Sequence, residues 1–576
     1  MSREMRSTAF FVLFTCLAVT TLSVQARAQS RLYPDAVYYN GKVATVDKNF
    51  SMAQAVAILG DKFVAVGTDK QILALAGPRT TKVDLNGRTV VPGLIDDHYH
   101  FMDKAGTSFK RVALVDAMSY DAFLNILKAE AAETAPGQWI ITQSGFLPDQ
   151  FGGRLPNKED LDKVAPNNPL FVEGGHADYL NSAGLKLAGI TRDTPNPPGG
   201  VISKDSKTGD VTGELIDASG LVSRLLPRVT YQDKIDGLRK GMKLLNSVGI
   251  TGIRDPGLAP DNIRIYQELW NSGELTVRIS TNLSLSSSQP VPEVLSQLSR
   301  WGVSTRFGDH MLRLDGIGEF GMDGGFQAGL MTQPYEKSED LELRLGTEQG
   351  PFYGVQKISA EKFAEFMVGF NRLGWRACVH AVGDKAIDIV LDGYEAANQD
   401  QSIVGKRWTI EHAFVTRPDQ LERIKKLGVI ISSQFHTFMA SRTMTELWGE
   451  SRGSTHNVPT REWLDAGVKV GVGTDWTRMP NRPFEVIYFL VTRKNRYGDL
   501  IGPQQKVSRQ EALRLSTIDN AYITFEENVK GSIENGKLAD FVVLDKDYFT
   551  VPDEQIKDIK AFMTVVGGKV VFEQGK

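Results

Sequence analysis

Cysteine is nearly absent from this chain: 576 residues contain two, Cys16 and Cys378. Cys16 sits inside an apolar N-terminal run, so removal of that run leaves a single thiol and excludes an internal disulfide. Net charge is missing as well. Sixty-six Lys and Arg face 69 Asp and Glu, a balance of -3. No basic stretch offers a footprint for nucleic acid, and no acidic tail offers a surface for a cationic partner. Beyond the N-terminus no uncharged apolar run reaches the ~20 residues that span a bilayer. Internal repeats and low-complexity segments are also lacking.

The N-terminus itself is different in kind. Arg3 and Arg6 precede an apolar run from Ala9 to Val24, and Ala26-Arg27-Ala28 has the form of a small-residue cleavage site. Residues 1–28 are therefore expected to be a signal peptide, leaving no membrane segment after cleavage. Leu13-Phe14-Thr15-Cys16 lies too early in the run for a lipoprotein site. The expected location is outside the inner membrane, periplasmic in a Gram-negative cell.

The length exceeds one ordinary core, so a large barrel with accessory domains is expected. Strand signals open the mature chain: Ala36–Val46 carries β-branched and aromatic residues on both sides of Asn40-Gly41, which predicts a hairpin. The C-terminus repeats the pattern in Leu538–Leu544 and in Met563–Phe572, the latter folded about Gly567-Gly568. Short hairpins cannot bury a face alone, so residues 29–90 and 526–576 are expected to share one composite β-sandwich. Between them strand-like and helix-like segments alternate over 91–113 and 221–525, as a (β/α)8 barrel of the TIM type requires. Residues 114–220, with Gly152-Gly153 and Pro197-Pro198-Gly199-Gly200, break that rhythm and predict an inserted domain after the first barrel strand.

That first strand is Val90-Val91-Pro92-Gly93-Leu94-Ile95-Asp96-Asp97-His98-Tyr99-His100. Histidines spaced i, i+2 on a strand share one face, and paired neutral imidazoles suit a divalent metal such as zinc. The run resembles the signature of the amidohydrolase superfamily, a strand after Pro-Gly that ends in Asp-x-His-x-His at a barrel mouth. GLKLAGITRDTPNPPGG, VHAVGDKAID, TIEHA, GVGTDW and KGSIENGKLADFVVLD follow in the order of the amidohydrolase-3 branch. Together these motifs touch most of the mature chain.

The resemblance implies a site. His98, His100 and Asp475 would hold one metal, and His380 with His412 a second, giving two zinc ions per chain; one is the alternative. Many relatives bridge the pair with a carboxylated lysine four residues before an Asp-Gly. Here Glu319 stands four residues before Asp323-Gly324, and Gly316–Gly321 contains no lysine. Glu319 is expected to bridge in its place, the alternative being a rim carboxylate beside one metal. Asp475 is the expected proton carrier. By the same resemblance His176 orients or polarises a substrate carbonyl, or else caps a loop, with Asn181 near the substrate. His436 is placed at the pocket wall.

Arg254, Asp255, Asp384 and Arg407 fall at motif positions and are expected to brace ligands. His310 and His456 look like surface residues. Phe101, Phe146, Phe151, Phe326 and Trp476 are either pocket walls or core. The implied activity is metal-dependent hydrolysis of a C–N bond in a small molecule: an amide, N-acyl, N-formyl or cyclic amide group. Deamination, ester or carbamate hydrolysis on the same centre, and an exported binding protein without catalysis, stay open, as does the oligomeric state.

Overall fold

The computed structural model describes residues 33–575 apart from 108–109, 144–145, 147, 175–176, 198–199, 217, 337–350 and 476–481. The expected signal peptide lies outside the described residues, and so do His176 and Trp476. No described helix is long and apolar enough to cross a membrane.

Eight parallel strands form the barrel: β1 (Leu94–Asp96), β2 (Ile250–Leu258), β3 (Arg278–Leu283), β4 (Leu312–Gly321), β5 (Ala377–Ala381), β6 (Thr409–His412), β7 (Ile430–Gln434) and β8 (Lys469–Gly473). They pair in chain order from β1 to β8. Helices alternate with them, as in Ala360–Arg372, where Ser359 caps the first turn and Phe363, Phe366, Met367 and Phe370 supply the buried face. Phe366 and Phe370 meet Phe320 of β4 edge-on at 5.2 and 5.7 Å. Apolar spacing near 3.6 residues thus turns one helix side onto the strands and leaves the other to water.

The ring closes through a side chain. Asp97 N donates to Val472 O at 3.2 Å. Beside it the Asn520 amide donates to Ile95 O (2.6 Å) and Val472 O (2.8 Å) and accepts from Val472 N (2.9 Å). Asn520 therefore stands between β8 and β1 where main-chain pairing stops. Gly471 makes the room: a Cβ there would come within 2.4 Å of Asp97 Oδ2 and 2.7 Å of Asn520 Oδ1.

Two further sheets stack at the chain ends. One orders Lys62–Gly67, Ala55–Leu59, Ala36–Tyr39 and Thr81–Asp84; the other orders Lys569–Glu573, Ala561–Val566, Phe541–Leu544, Thr89–Pro92, Lys42–Ala44 and Met52–Ala53. Their shared core includes Tyr38, Val56 and Phe63 from the first and Val90, Phe541 and Val565 from the second. Val566 pairs with Lys569 across Gly567-Gly568, the hairpin expected there. Asn40-Gly41 is not a hairpin. Ala36–Tyr39 and Lys42–Ala44 belong to different sheets, and the dipeptide carries the chain across. Asn40 takes the left-handed conformation (φ 57°), with its own N held by Asp69 and its amide by Asp84. The same φ freedom that favours a two-residue turn here serves a sheet crossing.

Between β1 and β2 the chain builds a five-stranded sheet ordered Val201–Lys204, Val211–Ile216, Ala177–Leu180, Leu170–Val172 and Ile140–Ile141. It has apolar clusters of its own. Phe146 and Phe151 belong to one of them, as core, while Phe101 and Phe326 are buried in the barrel core. Asp149 meets Thr443, and Asp116 meets Arg496, tying this insert to the barrel's β7 and β8 side.

Candidate metal centre

The mouth of the barrel is assembled where strands end. Asp96 accepts from His98 N (3.1 Å), Thr474 N (3.1 Å) and Thr474 Oγ1 (2.7 Å). Asp475 N donates to His98 O at 2.8 Å. These bonds lock the end of β1 to the end of β8, so His98, His100 and Asp475 face one another. Asp475 (φ 60°) and His412 (φ 73°) both turn out of their strands through the left-handed region, a conformation that surrounding contacts must impose on non-glycine residues.

Glu319, near the end of β4, stands at the middle. Its Oε1 lies 2.7 Å from His380 Nδ1 and 2.7 Å from His412 Nε2. Its Oε2 lies 3.6 Å from His100 Nε2 and 3.7 Å from His98 Nε2. Asp475 Oδ1 is 3.1 Å from His100 Nε2 and 3.8 Å from His98 Nε2. Each of three groups, His98/His100/Glu319, His98/His412/Asp475 and Glu319/His380/His412, brings one donor atom per residue within 4.8 Å of the others. The structure thus brings together all six residues expected as ligands, one glutamate oxygen facing each histidine pair.

The donor set fits divalent cations. His98 Nε2 is buried with no hydrogen-bond partner among the described residues. Two donors bound at about 2.1 Å to one tetrahedral zinc stand roughly 3.4 Å apart, close to the spacings around that nitrogen. Burial alone would raise the Glu319 carboxyl, but the imidazoles of His380, His412 and His98 hold it well below its usual range. Burial and the adjacent His380 push His412 down to about 4, while Glu319, against burial, lifts His380 to about 9. His380 Nδ1 and His412 Nε2 stand 2.8 Å apart, each 2.7 Å from Glu319 Oε1, around the position a cation would take.

The residues behind the ligands were less visible in the sequence. His98 Nδ1 donates to Glu411 Oε2 (2.8 Å), and Arg254 grips both Glu411 oxygens at 2.9 and 2.6 Å. Arg254 also reaches Asp97 O (2.6 Å) and Ser432 Oγ (2.8 Å). Arg254 therefore stands behind the candidate ligand His98, through a glutamate that had no assigned role. Its signal was a carboxylate inside the strand Thr409-Ile410-Glu411-His412. Asp255 accepts from Phe101 N (2.9 Å) and Met102 N (3.3 Å), fixing the turn after His100. Asp323 accepts from the main chain of Leu330, Val382 and Gly383, shaping the loop after His380.

His436 Nε2 lies 3.2 Å from Asp475 Oδ2, so it belongs to the site. Asn181 does not join it. The Asn181 amide caps helix Ser182–Ala188 and is used up inside the insert, accepting from Leu170 N and Gly184 N and donating to Ala165 O and Asn168 O. Arg407 also stands apart, before β6 begins, paired with Glu527. Asp384 holds Thr332 and Arg417, not a ligand. His310 pairs with Glu526 and His456 with Glu462, both with half-exposed rings. A cavity of about 830 Å³ between Pro483–Tyr488 and Asp545–Ala561 contains none of the metal donors.

The sequence pattern of the Amidohydrolase family matches residues 81–572. This chain belongs to that family. Among curated amidohydrolase relatives, an N-substituted formamide deformylase of Arthrobacter pascens is 28% identical, covering 94% of this chain and 98% of its own length. A putative amidohydrolase of Bacillus subtilis, YtcJ, is 27% identical over 94% of this chain and 99% of its own. Among solved structures, an uncharacterized metal-dependent hydrolase from Pyrococcus furiosus superposes with a TM-score of 0.67 at 25% identity, covering 89% of this chain and all of that one. The eight-stranded parallel barrel of this chain therefore agrees with its family.

Proposed function

We propose that this amidohydrolase cleaves the C–N bond of a small amide, N-formyl or N-acyl compound, holding two zinc ions. His98, His100 and Asp475 would hold one, His380 and His412 the other, with Glu319 between them. One observation carries the reading: the two oxygens of Glu319 each face a separate pair of imidazoles. Once bound, such a metal pair supplies an acidified water and a polarised carbonyl.

The chain's own groups handle the proton. Asp475 is buried, and although burial raises its carboxyl, His100 and His436 hold it well below the usual range, so it starts ionised. It accepts the proton of the attacking water as the C–O bond forms, then delivers that proton to the nitrogen as the C–N bond breaks. His436, 3.2 Å from Asp475 Oδ2, fixes the orientation of that carboxylate through both steps. An N-formyl amine, cleaved to formate and the free amine, is the favoured member of the substrate class because of the relative named a formamide deformylase.

Elemental analysis of protein purified without chelator is expected to give two zinc per chain. Glu319→Gln is expected to lose the second; unchanged stoichiometry overturns the bridge. A panel of N-formyl amines, N-acyl amino acids and cyclic amides is expected to show turnover, against esters and aminated rings as controls. Turnover of the controls alone moves the activity to ester hydrolysis or deamination. For the exported form, N-terminal sequencing of the mature chain is expected to begin after Ala28.

A further inference from the structure

The two halves of the centre are built differently. Around His98 Nε2 the spacings are 3.7 Å to Glu319 and 3.8 Å to Asp475, and Glu319 is 3.6 Å from His100. With the closer 3.1 Å between His100 and Asp475, these spacings bracket the roughly 3.4 Å between two donors on one tetrahedral zinc. In the other half Glu319, His380 and His412 stand 2.7 to 2.8 Å apart, at hydrogen-bond spacing. Those donors must move apart before a cation enters.

What lies behind each histidine differs in the same direction. His98 is backed by the Glu411 carboxylate, itself held by Arg254 and by Thr409 Oγ1 at 2.5 Å, all of it buried. The far nitrogen of His380 meets the Gly324 carbonyl at 3.1 Å, and the Asp323 carboxylate stands beyond hydrogen-bond range of it at 3.5 Å. His412 Nδ1 is buried with no hydrogen-bond partner among the described residues. A carboxylate hydrogen-bonded behind a ligating imidazole, as Glu411 is at 2.8 Å, fixes its tautomer and strengthens it as a donor more than a carbonyl or a carboxylate at 3.5 Å does. Charge does not separate the halves as clearly, since Glu319 faces both, Asp475 stands 3.1 Å from His100, and Asp323 stands 3.5 Å from His380.

We propose that the two zinc positions fill in order, the His98/His100/Asp475 half first and the His380/His412 half second, with Glu411 as the positioning residue that makes them unequal. The proposal rests on the binuclear reading above. Its consequence is a chain that holds one zinc firmly and responds to free zinc through the other.

The test is a zinc titration of the chelator-stripped full chain against a fluorescent competitor, read as stepwise affinity. Two unequal steps are expected, the tight one lost in His100→Ala and the weak one lost in His380→Ala. Glu411→Gln is expected to weaken the tight step about 10- to 100-fold and to leave the weak step in place. Arg254→Lys, a milder change, is expected to weaken the same step less, which keeps the test open if the glutamine variant does not fold. Cobalt substitution adds a spectroscopic check: the ligand-field bands of the first equivalent are expected to shift in Glu411→Gln. Loss of the tight step in His380→Ala, or an unmoved tight step in Glu411→Gln and Arg254→Lys, overturns the order while leaving two zinc per chain. No zinc uptake at all overturns the binuclear reading with it.

Discussion

The interior of the barrel and the interior of the terminal sandwich are filled on opposite principles. Along the barrel axis lie Arg254, Asp315, Arg376 and Glu411, each at most 1% exposed. Arg254 grips Glu411 at 2.6 Å, and Arg376 stands 3.1 Å from Asp315. The sandwich instead packs Tyr38 edge-on against Phe541 at 5.0 Å, with Phe63 alongside. Apolar burial is a dependable source of stability, about 25 cal/mol for each Å². A buried ion pair gains little over an apolar filling of the same shape. The sandwich thus rests on apolar packing, whereas the barrel adds to its apolar helix–strand core a set of buried charges that positions the candidate metal donors.

Substitutions that separate position from stability sharpen that contrast. The largest effect is expected from Asp475→Asn, which should keep its zinc and its fold yet lose turnover by about 10³-fold; near-normal turnover would remove Asp475 from the proton path. Next comes Phe541→Ala in the sandwich. Truncating this fully buried ring should cost about 3 to 5 kcal/mol in denaturant unfolding while the folded fraction keeps its zinc affinities. A loss of zinc affinity in the folded fraction would break the division between the two interiors. Asn520→Ala lies between the cases, because its amide closes the barrel beneath the metal-bearing ends of β1 and β8. It should cost about 1 to 3 kcal/mol and also weaken zinc binding. Smallest of all is Lys42→Ala. Its 2.7 Å pair with Asp547 is on the surface, Lys42 being 55% exposed, so a change within about 1 kcal/mol is expected.

What could be read from the sequence was what periodicity encodes. An apolar strand that ends in His, Glu or Asp shows both its direction and its terminal side chain, and His98, His100, Glu319, His380, His412 and Asp475 all converge as that pattern implies. Glu411 was harder to assign. It sits beside a ligand on a strand where alternation sends neighbours to opposite faces, and the left-handed turn at His412 brings both to bear on one centre. Asn520 gave no signal, because an amide that replaces main-chain pairing has no local pattern. Asn40-Gly41 and Asn181 failed for a common reason. Each residue carries two chemistries, a turn or a sheet crossing, a contact with substrate or a helix cap, and only distant partners choose between them.

The strand Thr89–Pro92, which leads directly into β1, is paired to Phe541–Leu544, and β1 is stitched to β8 by Asn520. Early and late segments of the chain must therefore meet before His98 faces Asp475. Contacts so far apart in sequence form slowly, since a long loop must close before they yield anything. A chain cut short before Asn520 would carry every histidine of the site yet lack the side chain that joins β8 to β1. The candidate metal centre is thus a joint product of the two ends of the polypeptide.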